Sequence, residues 1–271
     1  MVIFCIVKSR EVRTRAQTIE VFHLLFLRVL GAGQRDWFVL KGDANIRYFF
    51  HSPRYSNDIE LDFSGREAWK VGDTVGKILE GRALRILAQQ AGVEIAEVSA
   101  PEQTDTTRRW KVGLSATGHT DLITTKIEFS DRNGSSNDVI AEVVPNGVVV
   151  PYGLQSPMVQ HYGATAAIEQ KIAALALRSE TTARDVFDLD LLSRRQRARG
   201  VPESLSTEHA GQAASRALEI TFDRYVTEVA PFLDPDIAAL YDEDQWDRMR
   251  EVVATWLAKV AESNAVERGR D

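Results

Sequence analysis

WFVLKGDANIRYFFHSPRYSNDIELDF, residues 37–63, decides how this 271-residue chain folds. Phe38, Val39 and Leu40 form a short apolar run that stops at Lys41-Gly42-Asp43. Ala44, Ile46, Tyr48, Phe49 and Phe50 then follow an amphipathic spacing, and the stretch closes on Asp58-Ile59-Glu60-Leu61-Asp62-Phe63. The pattern predicts strand, tight turn, short helix, loop and strand. Successive side chains of a strand point to opposite faces, so Asp58, Glu60 and Asp62 share one face and Ile59, Leu61 and Phe63 the other. The apolar face can be buried. The carboxylate face can simply be solvated, as on many antiparallel sheets. If it is not, like charges that close raise one another's pKa unless a cation lies between them. Mg²⁺ is the fitting cation, because it takes oxygen ligands and commonly binds substrate phosphates as well.

Outward from this stretch, residues 10–31 read as a helix capped by Thr18, with Ile19, Phe22, Leu25, Phe26 and Val29 in its apolar stripe and Gly31 as its stop. Residues 75–91 read as a second helix with Ile78, Leu79, Leu84, Ile86 and Leu87 turned inward and Gly92 ending it. Strand patterns follow at 93–98, 110–114, 124–129 and 139–144, punctuated by polar loops at 101–107 and 134–137. With the first two strands they imply an α/β core built on a mixed sheet flanked by helices. In the strand at 124–129, alternation puts Lys126, Glu128 and Ser130 on one face, where Glu128 is either a third acidic ligand or one half of a cross-strand ion pair.

The Gly- and Pro-punctuated stretch 148–157 reads as a linker, dividing an α/β core at residues 1–150 from a mostly helical region at 151–271. In 164–192, ATAAIEQKIAALALRSETTARDVFDLDLL, Thr165 can cap a helix whose buried stripe is Ile168, Ile172, Leu175 and Ala176, with Lys171 and Arg178 on another face. A second helix starts near Thr182, where Thr182-x-x-Asp185 fits a capping box and Arg184 and Asp188 fit an i,i+4 surface pair. Further helices are predicted at 207–230 and 236–262, with a polar, frayed tail at 265–271.

Composition bounds the function. The chain is 44% apolar and 27% charged, enough to bury a sizeable core. Its single cysteine, Cys5, excludes an internal disulfide framework and a multi-cysteine zinc site. The five histidines are scattered, which argues against a His–Asp metal cluster of the phosphohydrolase type. The apolar segment at 21–30 is far too short for a membrane span, and residues 1–7 lack the features of a signal peptide, so a cytoplasmic protein without a membrane partner is expected. A net charge of −6 argues against a generally basic nucleic-acid coat. RNA contact would need a local patch, and residues 193–200, with four arginines, are the densest positive stretch.

Gly42-Asp43, a spacer, and Asp58-Ile59-Glu60-Leu61 together resemble the hG[GS]…Dh[DE]h signature of the DNA polymerase β-like nucleotidyltransferases. More closely, LKGDANIRYFF…RYSNDIELDF and the downstream Lys171-x6-Arg178-x5-Arg184-Asp185-x2-Asp188-Leu189 resemble the two motifs of the AbiEii/AbiGii nucleotidyltransferase toxins. The resemblance implies a polymerase β-like core followed by a helical region. It implies an enzyme that moves a nucleoside monophosphate from an NTP to an acceptor, often a tRNA 3′ end, as the toxin of a toxin–antitoxin pair, with a cognate antitoxin protein as partner. Asp58, Glu60 and Glu128 are then the Mg²⁺ ligands. Asp58, Glu60, Lys171, Asp185 and Asp188 are the candidate catalytic residues, and Gly42, Asp43, Ser56, Arg178 and Arg184 the candidate substrate-binding residues. Two positions depart from the family pattern: Asp43 stands where Gly or Ser is usual, and Glu60 where Asp is more frequent. A small-molecule nucleotidyltransferase of the antibiotic-modifying type and an inactive nucleotide- or RNA-binding module remain as alternatives.

Overall fold

The computed structural model describes residues 12–33, 36–131, 138–197 and 209–268, with side chains described outside 195–197 and 264–268. Helix α1 (Arg15–Leu30) is capped by Thr14, not Thr18: the Thr14 hydroxyl accepts from the Gln17 amide while the Gln17 side chain accepts from the Thr14 amide. Thr18 sits inside the first turn and donates back to the Thr14 carbonyl. Gly31 closes the helix. Almost the whole circumference of α1 is buried, including Phe22, Leu24, Leu25, Phe26 and Leu27. Each fully buried Leu or Phe contributes roughly 1.5–3 kcal/mol, which offsets taking His23 and Glu20 inside the same helix.

Strand β1 (Phe38–Lys41) turns directly into α2 (Gly42–Phe49), and the chain returns as β2 (Ile59–Phe63), antiparallel to β1 with Lys41 opposite Glu60. The single helix predicted over 75–91 is two helices, α3 (Ala68–Glu80) and α4 (Arg82–Gln90). Gly81 breaks them with an extended backbone, at a point where a Cβ would lie 2.6 Å from the Lys77 carbonyl oxygen. The break turns Ile86 outward, to 39% exposure, against the inward position predicted for it.

Strands β3 (Val93–Gln103), β4 (Thr107–Ala116) and β5 (Ile123–Asp131) form an antiparallel meander longer than the sequence pattern suggests. β3 runs on through Pro101, which an edge strand tolerates because one side of its backbone needs no partner. β6 (Val139–Val143), a short helix α5 (Asn146–Val149) and β7 (Met158–Tyr162) follow. β7 lies beyond the linker predicted at 148–157 and pairs in parallel with β1. The seven strands make one sheet, β3-β4-β5-β2-β1-β7-β6, with β2 parallel to β5.

The rest is helical: α6 (Ala164–Leu177), α7 (Ala183–Arg197), α8 (Ala210–Leu218), α9 (Phe222–Glu228), α10 (Pro235–Ala238) and α11 (Glu243–Arg268). Gly163, not Thr165, is the residue before α6. The helices predicted at 207–230 and 236–262 are each divided in two. The part of the predicted tail at 269–271 falls outside the described residues.

Two cores result. One is sealed between the sheet and α1, α3 and α4 by the apolar faces of β1, β2, β4 and β5. The other lies within α6 to α11 and reaches the sheet through Ile46 of α2. The carboxylate-bearing side of the sheet is thus roofed by helices near β1 and β7 and left open over β3, β4 and β5. Among the described residues no helix is long and apolar enough to cross a membrane.

Candidate active site

β2 stands between β1 and β5, and register carries one row of side chains across the sheet: Lys41 faces Glu60, Glu60 faces Glu128, and Glu128 faces Arg109. Asp58 immediately precedes β2. Its Oδ1 accepts from the Lys126 amide and from the Asn57 side chain, both at 3.0 Å, and its Oδ2 lies 3.4 Å from the Lys126 ammonium. Asp62, the third carboxylate of the strand, is spent internally: it accepts from Lys41 Nζ at 2.5 Å and from the Tyr162 hydroxyl at 2.6 Å.

Gly42 is what lets β1 meet Glu60. Its backbone is left-handed, φ +66°, and a Cβ there would lie 2.3 Å from Glu60 Oε2. The Gly42 turn, Glu60 and α6 enclose a cavity of about 530 Å³, lined also by Lys41, Asp43, Lys171, Arg178, Arg184 and Asp185. Burial pushes the Glu60 carboxyl above its usual range, and the neighbouring Asp43 charge adds to the shift.

Behind this wall lies a charge network built from three distant segments. Lys171 on α6 has three N–H donors, and three carboxylates surround it: Asp43 at 2.7 Å, Asp185 at 3.0 Å and Asp188 at 2.8 Å. Arg54 donates to Asp43 at 2.9 Å and to Asp188 at 2.6 Å. Arg178 donates to Asp185 at 2.8 Å, and Arg184 lies 3.5 Å from Asp43. Within this network three carboxylates face four cations, while the cavity itself is also lined by the carboxylates of Glu60, Asp62 and Glu169. Burial alone would raise the Asp43 carboxyl, but Arg54 and Lys171 outweigh it and hold the group well below the carboxylate range. Burial would likewise lower the Lys171 ammonium, and Asp188 and Asp43 more than reverse that. Asp185 is held down by Lys171 and Arg178 against the same desolvation.

The predicted surface pair between Arg184 and Asp188 does not form. Arg184 reaches Asp43, while Asp188 is fully buried against Arg54 and Lys171. Thr182 does not cap reciprocally either: its hydroxyl donates to the Asp185 carboxylate at 2.7 Å. Asp185 lines the cavity; Asp188 lies beneath it. Ser56 is buried and donates to the Asp58 carbonyl at 2.6 Å, shaping the approach to β2 rather than lining the cavity. Glu128 is held by Arg109 through Nε at 2.9 Å and Nη2 at 2.7 Å, the cross-strand pair that was its alternative role. Arg194 pairs with Asp190 one turn before it. The side chains of Arg195, Arg197 and Arg199 lie outside the described residues.

Arg54, Lys41 and Tyr162 were not singled out by sequence reasoning. Arg54 belongs to the segment RYSNDIELDF, and its signal there is an arginine with 2% side-chain exposure once folded, which must be paired.

Among the described residues no group of three or more His, Cys, Asp or Glu side chains is arranged to enclose a metal ion. The oxygen donors of Asp58 and Glu60 nevertheless suit Mg²⁺, which is usually held by one or two carboxylates and completed by substrate phosphates and water. The space at Gly42 that a side chain would fill opens beside Glu60.

A mixed sheet with a glycine turn facing strand carboxylates, roofed by a helix that supplies a buried lysine, defines a nucleotidyltransferase. The chain belongs to the AbiEii family of nucleotidyltransferase toxins of type IV toxin–antitoxin systems, whose family model matches residues 25–261. No curated protein matches it. Its fold is similar to that of a Helicobacter pylori protein described as a candidate nucleotidyltransferase, with TM-score 0.62 and 18% identity over 93% of this chain and 98% of that one. It is similar to JHP933 from Helicobacter pylori, with TM-score 0.59 and 17% identity over 96% and 98%. It is also similar to MenT4, a nucleotidyltransferase toxin of Mycobacterium tuberculosis, with TM-score 0.57 and 16% identity over 91% and 86%.

Proposed function

We propose that this enzyme transfers a nucleoside monophosphate from an NTP to the 3′ end of a tRNA with release of pyrophosphate, and that a cognate antitoxin restrains it in the cell. The observation that carries the reading is the meeting of Glu60 with the Gly42 turn across a cavity to whose far wall Lys171, Arg178 and Arg184 contribute cations. A triphosphate is strongly anionic, and Arg178 and Arg184, 48% and 36% exposed, offer it donors. Lys171 has its three N–H groups engaged; it meets a phosphate oxygen by exchanging the partly exposed Asp43. Asp43 thereby stands in for the phosphate charge in the free enzyme, which accounts for an acid where the family usually has Gly or Ser.

Asp58 and Glu60 would hold Mg²⁺, which when bound stabilises charge on the phosphates and the attacking hydroxyl. Glu128 joins that set only on leaving Arg109. Asp185 and Asp188 orient Lys171 and, through Arg178 and Arg54, the rest of the phosphate wall. The depressed pKa of Asp185 suits this holding role better than proton uptake.

The test is incubation with Mg²⁺, each α-³²P NTP in turn and total tRNA, beside Asp58→Asn and Lys171→Met. Label in tRNA with the wild type and its loss in both variants supports the reading and names the nucleotide. Absence of label from tRNA with every NTP refutes it.

A further inference from the structure

The open half of the sheet carries a second row of side chains leading away from Asp58. Asp58 is bonded to Lys126 on β5, Lys126 stands opposite Lys111 on β4, and Lys111 stands opposite Ser99 on the edge strand β3. Three strand spacings make this a path of roughly 14 Å. Lys126 is 47% exposed and answers Asp58. Lys111 is exposed, and no hydrogen-bond or ion-pair partner for it occurs among the described residues. Two lysines directly opposite each other on one sheet face repel and weaken the pairing, so the fold gains nothing from the second.

The neighbouring row differs. There Arg109 is bonded to Glu102 and Glu128, so its charge is already answered. The outward positions of β4 and β5 around the lysines hold Gly113, Ser115, Thr124 and Ser130 and no aromatic ring. A surface with ammonium groups and hydroxyls but no ring cannot stack bases; it can hold a phosphate backbone without reading sequence. Glu97, opposite Gly113, bounds the path on its far side.

We infer that the open face of β4 and β5 binds the acceptor RNA by its backbone, a phosphodiester next to the terminal nucleotide sitting on Lys111 with Lys126 while the terminal hydroxyl lies at Asp58. This rests on the RNA-acceptor reading above and adds the surface that seats the acceptor.

The test is the fluorescence anisotropy of labelled tRNA titrated with the full chain across a salt series, with tRNA labelling from α-³²P NTP measured in parallel. Lys111→Glu is expected to raise the Kd at least fivefold at low salt and to reduce the slope of log Kd against log salt by about 0.7–0.9, one phosphate contact. Lys111→Arg is expected to bind as the wild type. Lys77→Glu makes the same charge change at an exposed site on α3, behind the sheet, and is expected to leave Kd unchanged. Unaltered Kd and slope in Lys111→Glu, or an equal loss in Lys77→Glu, overturns the assignment while labelling by the wild type keeps the acceptor reading intact. A wild type that neither binds nor labels tRNA overturns both.

Discussion

A Cβ at Gly42 would lie 2.3 Å from Oε2 of Glu60, so the space beside the turn after β1 admits the carboxylate on β2 only while position 42 has no side chain. Gly42→Ala meets two penalties. The left-handed backbone at φ +66° costs an alanine about 1–2 kcal/mol. The clash is with the far end of a flexible side chain, so it is relieved by displacing the Glu60 carboxylate rather than by unfolding. Activity should therefore fall far more than stability: about 100-fold or more in tRNA labelling, as ångström-scale misplacement of a reacting group does, with a Tm lower by a few degrees. Labelling at the wild-type rate by a folded Gly42→Ala protein would contradict the site.

Lys171 is the pin of the buried network. Lys171→Met leaves Asp43, Asp185 and Asp188 close together with Arg54, Arg178 and Arg184 unable to answer all of their oxygens, and should cost about 3–5 kcal/mol in urea denaturation. Asp188→Asn should also destabilise, since it leaves Arg54 and Lys171 short of an anion in a fully buried position. The two losses should not add, because the double variant removes a mutually compensating pair; a coupling of about 0.5–3 kcal/mol is expected. Strict additivity would mean that the pair does not hold the site together.

The strand, turn, helix and strand of residues 37–63 were legible because period and turn chemistry act locally: the alternation at Asp58 to Phe63 puts its two faces where the sheet has them. Lys171, Asp185 and Asp188 were legible by motif, though not their division of labour. What escaped was non-local. β7 is five residues long and pairs in parallel with a strand more than a hundred positions earlier, so nothing local marks it as a strand between the linker predicted at 148–157 and the helix that follows. Arg54 escaped for the same reason: its partner Asp188 is 134 residues away. The break at Gly81 was hidden by an apolar spacing that continues in phase across it.

His23 should set a pH limit on stability. It is fully buried in α1, and its Nε2 lies 2.7 Å from Thr125 Oγ1. The Thr125 hydroxyl donates to the Asn57 carbonyl, so it accepts from His23, which leaves Nδ1 as a buried acceptor with no partner among the described residues. Burial lowers the folded pKa from 6.5 to about 3. The unfolded chain then binds the extra proton between these values, so stability is full above about pH 6.5 and is lost as pH falls toward 3, by up to about 1.4 kcal/mol per pH unit. His23→Phe should flatten the limb between pH 6.5 and 5, where most carboxylates have not begun to titrate. Urea midpoints across that window decide it: parallel wild-type and variant curves would remove His23 as the cause.

Arg109 governs how strongly Glu128 acts on Glu60. The two glutamates are register neighbours on parallel strands, and Glu128 contributes, after burial and Asp43, to raising the Glu60 carboxyl. Arg109 masks much of that charge by donating twice to Glu128 Oε2. Glu128→Gln removes a cause of the upward shift, so the acid limb of activity, where the proposed metal-binding role needs Glu60 deprotonated, should move to lower pH. Arg109→Met unmasks Glu128 and should move the same limb to higher pH. At neutral pH that variant should need less Mg²⁺ for half-maximal labelling, because Glu128 released from Arg109 offers the ion a further carboxylate. Asp58→Asn, in contrast, should abolish labelling at every pH. The measurement is the apparent Mg²⁺ requirement as a function of pH for all three variants; limbs that shift in the same direction for Glu128→Gln and Arg109→Met would break the link between this row of charges and the metal.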